Sequence, residues 1–207
     1  MWFSLVIGVL VGYLLGNLNG AVSVSTLMND DVRSHGSGNA GLTNFIRNYG
    51  NGKALYVVAV DAIKTVLSCL LTGKLLAPYG YELEGMIVGG TAVMLGHVFP
   101  VLLGFRGGKG ILSGLFIALT VDWRVGVIIA VVFFTVYFLT RYVSLSSMLA
   151  ALTFGICFCV FHYDNVVVIV CGILMSALTI FMHRSNIKRL LAGEETKTDL
   201  FAKGKKQ

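Results

Sequence analysis

Seven apolar runs, separated by short polar connections, constrain this chain more than any other feature. They cover roughly residues 2–28, 54–77, 85–104, 111–121, 126–140, 147–160 and 166–182. A backbone inside lipid must satisfy its own hydrogen bonds, which leaves helices or a closed barrel. Alternating ten-residue strand patterns are missing, and glycines scattered through the runs suit packed membrane helices. Only 13% of the 207 residues are charged, against 56% hydrophobic, about half the charge usual in a soluble domain. Mean hydropathy is +0.82. The expected architecture is therefore an all-α polytopic integral membrane bundle of seven transmembrane helices. A straight crossing takes about 20 residues, so the fourth and fifth runs are short. A re-entrant hairpin around "VDWR" would leave five full crossings and the same sidedness.

Charge sets the orientation. With the N-terminus outside, one face receives Arg33, Arg47, Lys53, Arg106, Lys109, Arg141, Arg184, Lys188, Arg189 and the basic tail. The other face receives Arg124 and Lys74 beside Glu82, Glu84, Asp122 and Asp164. The Lys/Arg-rich face is cytoplasmic by the positive-inside bias. The net charge of +6 is thereby explained by topology, together with attraction to anionic membrane lipids. Nucleic acid binding is a poor reading, because the basic residues are dispersed and lack interleaved aromatics. The expected division is a membrane-embedded domain, 1–192, and a basic cytoplasmic tail, 193–207. The first run lacks a basic leader and a small-residue cleavage site and reads as a retained span. Cys69, Cys157, Cys159 and Cys171 all lie in apolar runs without CxxC spacing, so no disulfide framework or metal site is expected.

Sidedness also collects the polar motifs. "GSGNAGLTN", "FRGGKG", "RYVSLSS" and "HRSNIKR" all fall at the cytoplasmic face. The external connections are short and carry nothing comparable. Glycines let successive N–H groups converge on an anion, and a helix following each Gly-rich loop adds positive potential at its N-terminus. Arg47 offers a bidentate fork for phosphate, and Lys109 a compact charge. "GFRGGKG" is not a Walker loop, since neither the spacing nor the residue after Lys109 fits. His97, two turns before the end of the third run, reads as a hydrogen-bonded structural residue rather than a base. His183 and Asn186, three residues apart, are expected on one helical face. Asp61 and Lys64 share a face within the second run and read as an intramembrane ion pair.

These motifs together resemble the bacterial membrane glycerol-3-phosphate acyltransferases that use acyl phosphate as donor. The resemblance rests on "DVRSHGSGNAGLTNFIRNYG", "DAIK", "GHVFPVLLGFRGGKG", "RYVSLSS" and "HRSNIKRLLAGEE", in that order. It implies transfer of a fatty acyl group from acyl phosphate to glycerol 3-phosphate, giving lysophosphatidic acid and phosphate, without cofactor or metal. It implies catalytic roles for Ser37, Asn44, Arg47, Lys109, His183 and Asn186, and substrate binding by Gly38, Thr43, Gly107, Gly108, Gly110 and Ser144. Glu195 matches a structural glutamate of the last motif. The implied partners are the two substrates, membrane lipids and the enzyme that makes acyl phosphate, all met at the bacterial inner membrane. The chain departs from the family pattern at Ala40, Leu42, Thr65 and "NLNG" (17–20), which bears on acyl-chain preference and on the acceptor.

Acyl phosphate carries its own leaving group, so the expected catalysis is proximity of two bound anions and stabilisation of an oxyanion. The leaving phosphate, His183 or His97 is left open as the proton acceptor. Two rival readings are an acyltransferase with another phosphorylated acceptor and a carrier for a phosphorylated metabolite.

Overall fold

The computed structural model describes residues 1–198 and Leu200. Its helices are α1 (Trp2–Gly16), α2 (Gly20–Thr26), α3 (Leu42–Tyr49), α4 (Ala54–Leu76), α5 (Glu82–Val98), α6 (Ile111–Val121), α7 (Trp123–Thr140), α8 (Val143–Phe161), α9 (Val166–Met182) and α10 (Arg184–Leu191). Four of these, α4, α5, α7 and α8, are long and apolar enough to cross a membrane. The count rises to six if the bent pairs α1–α2 and α9–α10 each form one span. The protein is a multi-pass integral membrane bundle.

The apolar runs are now helices with visible boundaries. The 23 residues of α4 extend about 35 Å, enough for a hydrocarbon core of about 30 Å. The 18 residues of α7 come close to the same span. The fifth run is therefore not short, because its helix begins at Trp123. There the Asp122 side chain accepts the Arg124 N–H at 3.0 Å and caps the new helix. The fourth run stays short. Its helix α6 has 11 residues, about half the depth of the hydrocarbon core, and is followed after one residue by α7.

The polar stretch after the first run contains short helical elements. Val32–Ser34 form a 3₁₀ turn, and Leu42–Tyr49 form α3, an amphipathic helix too short to cross. α10 is the matching short helix at the other end of the chain. It leaves α9 at a 53° bend, placing His183 at the break between them.

Packing depends on close backbone approach. Gly16 of α1 meets Gly96 of α5, where an added Cβ on Gly96 would lie 2.0 Å from the Tyr13 carbonyl oxygen. Backbone cannot yield as a side-chain tip can, so only glycine fits there. One apolar core joins α4, α5, α6, α7, α8 and α9 through Ile87, Ile117, Val125 and Phe158, all fully buried. A second, smaller core under α3 packs Ala21, Val32, Phe45 and Val57. That second core holds the polar loop against the bundle. The departures in "NLNG" join the same arrangement: Asn19 caps α2 through the Val22 N–H and donates to the Ala40 carbonyl at 2.9 Å.

Candidate active site

One cavity of about 310 Å³ opens where α3, the end of α5, the starts of α6 and α8, and the α9–α10 break meet. Its lining changes character from one end to the other. Ser37, Thr43, Arg47, Lys109, His183 and Asn186 line the polar part, while Leu115, Ile129, Phe133, Phe154 and Met175 line the apolar part.

At the polar end, Glu195 organises the cations. It is buried and accepts hydrogen bonds from Ser144 Oγ at 3.0 Å, Asn186 Nδ2 at 3.0 Å and Arg189 Nε at 2.8 Å. Burial pushes its carboxyl pKa up, but the donors of Asn186, Arg189 and Ser144 outweigh burial and leave it below the usual value. Because the Asn186 amide nitrogen must face this carboxylate, its carbonyl oxygen turns towards Lys109, whose Nζ donates to it. Lys109 thus stands at the cavity wall with one donor committed. Burial and the neighbouring Arg189 and Arg47 charges lower its pKa to about 8, with Glu195 opposing.

Arg47 sits one helical turn after Thr43 and faces the same space. Burial lowers its pKa from the ordinary value. Its guanidinium donates to Thr198 Oγ1, at 3.0 Å from Nε, and to the Thr196 carbonyl at 3.3 Å. The segment that follows α10 therefore folds back across the cavity. The Tyr137 hydroxyl donates to the Thr198 carbonyl at 3.1 Å and accepts the Leu200 N–H at 2.9 Å, and Leu200 reaches the lining. Asp199 and residues 201–207, the remainder of the expected basic tail, lie outside the described residues.

Of the sequence-derived candidates, Ser37, Thr43, Asn44, Arg47, Lys109, Gly110, Ser144, His183 and Asn186 line this one cavity. Gly38, Gly107 and Gly108 do not. The Gly108 N–H donates to the His97 carbonyl at 3.1 Å, and a Cβ on Gly107 would lie 2.0 Å from that same oxygen. These two glycines let the loop fold tightly under the end of α5, with the Gly108 amide committed to the His97 carbonyl. Asn44 is also occupied. Its oxygen accepts the Ser37 N–H at 3.0 Å, and its nitrogen donates to the Val32, His35 and Asn39 carbonyls at 2.9–3.1 Å. It is the internal brace that shapes the loop presenting Ser37. His97, read from sequence as structural, lines the cavity too. Thr198 and Tyr137 carried no sequence signal. Among the described residues no group of three or more His, Cys, Asp or Glu side chains is arranged to hold a metal ion.

A membrane bundle with a cavity that is cationic at one end and apolar at the other belongs to the class of proteins that handle amphiphilic anions. Comparison with known proteins narrows this class. A glycerol-3-phosphate acyltransferase family model matches residues 6–193. The glycerol-3-phosphate acyltransferase of Thermoanaerobacter sp. (strain X514) is 40% identical over 193 residues, 93% of this chain and 94% of that protein. That of Mesorhizobium japonicum is 37% identical over 198 residues, covering 95% and 97%. The crystal structure of PlsY (YgiH), an integral membrane glycerol 3-phosphate acyltransferase in its glycerol 3-phosphate form, superposes with a TM-score of 0.86 at 32% identity, covering 96% of this chain and 100% of that one. Its lysophosphatidic acid form gives 0.83 at 32% identity, over 95% and 96%. The chain belongs to the glycerol-3-phosphate acyltransferase family.

Proposed function

We propose that this enzyme transfers a fatty acyl group from acyl phosphate to glycerol 3-phosphate at the cytoplasmic face of the membrane, releasing lysophosphatidic acid and phosphate. The carrying observation is the two-sided cavity, which offers cations to phosphate heads and an apolar wall to an acyl chain within one continuous space. Glycerol 3-phosphate and lysophosphatidic acid forms of a solved relative are known; the first carries the phosphate that the cationic end suits, and the second adds the acyl chain that the apolar wall suits.

The acceptor hydroxyl attacks the acyl carbonyl carbon. A C–O ester bond forms, the C–O bond to phosphate breaks, and the hydroxyl proton ends on the released phosphate. Lys109 and Arg47 hold the two phosphates side by side, which replaces a collision by a prearranged approach. Asn186 keeps Lys109 in place, and Glu195 keeps Asn186. Ser37 and Thr43 orient the donor from the loop that Asn44 braces. The apolar wall keeps water from the activated donor. Gly38, Gly107, Gly108 and Gly110 shape the loops that carry these groups, and Ser144 acts through Glu195.

The test is purified protein in lipid nanodiscs with palmitoyl phosphate and glycerol 3-phosphate, scoring lysophosphatidate and released phosphate. Acyl-CoA in parallel tests the donor, and other polyol phosphates test the acceptor. Absence of product with acyl phosphate overturns the reading. The orientation is proposed from the Lys/Arg distribution, with the N-terminus outside and residues 193–207 cytoplasmic. A thiol at Tyr163→Cys should react only from outside and one at Leu191→Cys only from inside; both positions are highly exposed. The enzyme that makes acyl phosphate would dock at the cytoplasmic face.

A further inference from the structure

The mechanism leaves unused a cluster of ionisable groups beside the cavity. Asp61 and Lys64 are each 2% exposed within α4, and His97 of α5 joins them. Lys64 Nζ lies 2.7 Å from Asp61 Oδ1, 2.7 Å from the Leu18 carbonyl, 2.9 Å from His97 Nδ1 and 3.4 Å from the Gly16 carbonyl. An ammonium has three N–H donors and no lone pair. Its three shortest contacts use them, so His97 Nδ1 accepts. The alternative, an Nδ1–H donated to Asp61, fails on distance, since Asp61 Oδ1 is 3.7 Å away. With Nδ1 accepting, the ring proton of neutral His97 sits on Nε2. That atom abuts the Gly107–Gly110 loop, where a Cβ on Gly108 would lie 2.2 Å from it, and the residue lines the cavity.

His183 is arranged in the opposite sense. Its Nδ1 lies 2.8 Å from the Thr179 carbonyl, which can only accept, so Nδ1 carries the proton and Nε2 keeps a lone pair. The two histidines of one cavity therefore offer it opposite groups.

We propose that the Asp61–Lys64 pair locks His97 as a hydrogen-bond donor, its Nε2–H directed at the phosphate or developing oxyanion beside the Gly107–Gly110 loop. His97 is then not the group that takes the acceptor's proton. This assignment rests on the acyltransferase reading for its ligand. His97 is a catalytic residue in this scheme, while Asp61 and Lys64 are positioning residues that act through it. The charged or titratable groups facing His97 are Asp61 and Lys64 from α4, with Lys109 in the adjoining loop. From the end of α1 and the residues after it, the Gly16 and Leu18 carbonyls approach through Lys64.

The experiment has a spectroscopic arm and a kinetic arm. Protein labelled with ¹⁵N-histidine in nanodiscs is recorded between about pH 6 and 8, the range where an ordinary histidine changes charge. Loss of signals in His97→Gln identifies the His97 nitrogens. The expected result is a neutral ring protonated on Nε2, giving way to mixed tautomers in the Asp61→Asn/Lys64→Met double variant. In the kinetic arm, His97→Gln keeps an N–H and should lower kcat/KM by less than about tenfold. His97→Leu should lower it by about 10²–10³-fold, the cost of a lost oxyanion donor. Both should retain the wild-type pH profile. A wild-type His97 protonated on Nδ1 overturns the proposal. So does a His97→Gln variant that is as impaired as His97→Leu and has lost the acid limb of the profile. If wild-type protein transfers no acyl group from acyl phosphate, the functional reading fails, while the spectrum still decides the tautomer.

Discussion

The charge of Lys109 makes the most searching prediction, because burial and its arginine neighbours bring its pKa to about 8. A lowered lysine pKa means that the ammonium is present below that pH and lost as pH rises through it. Between pH 7 and 9 the charged fraction of a group titrating near 8 falls from about ten in eleven to about one in eleven. Phosphate monoesters have their second pKa near 6, so glycerol 3-phosphate stays dianionic throughout this window. The free-enzyme groups govern kcat/KM, which should therefore fall about tenfold between pH 7 and 9. Phosphate release at subsaturating glycerol 3-phosphate, in nanodiscs at fixed ionic strength, measures it. Lys109→Arg supplies the control, since a guanidinium remains charged across the range. That variant should be slower at pH 7, because a planar fork does not fit where one ammonium meets Asn186, but its rate should no longer fall towards pH 9. A flat wild-type profile, or an arginine variant with the same fall, refutes the assignment of Lys109 as the charge that binds substrate.

Glu195→Gln should lower stability by about 1–3 kcal/mol, read as a fall in Tm in detergent, because an amide cannot accept from Ser144, Asn186 and Arg189 together. Glu195→Leu should in addition raise KM for glycerol 3-phosphate, since Asn186 then loses the partner that points its oxygen at Lys109. Gly96→Ala should destabilise the bundle by about 1–3 kcal/mol as an overpacking change, since the new methyl meets backbone of α1; unchanged thermal unfolding would contradict the close contact. Phe154→Ala should move the preferred acyl phosphate towards longer chains, measured by competition between chain lengths, because Phe154 lines the apolar end of the cavity.

The bundle itself was legible because hydropathy is a property of the linear chain, and lipid admits few folds. Its details were less so. The fifth span looked short because the apolar count began at Gly126, whereas the helix starts at Trp123 on the Asp122 cap. α3 is amphipathic, but its two turns are too short to stand out as a separate element beside the long apolar runs. In the site, nine of the twelve motif residues line one cavity, but the spacing could not say which of them faced inward. Gly107 and Gly108 looked like an anion nest, yet the Gly108 amide is spent on the His97 carbonyl. Tyr137 gave no hint at all. It is an ordinary aromatic in an apolar run, and its hydroxyl acquires meaning only when a segment more than sixty residues later returns to it.

That returning segment changes what affinity means for this enzyme. Arg47 is already satisfied by a neutral hydroxyl from Thr198, and the family match stops at residue 193, just before the segment begins. An incoming phosphate gains only the difference between an anionic partner and the neutral one it displaces. Substitutions at Thr198 should therefore change how readily substrate is held while leaving Lys109, Asn186 and Glu195 in place.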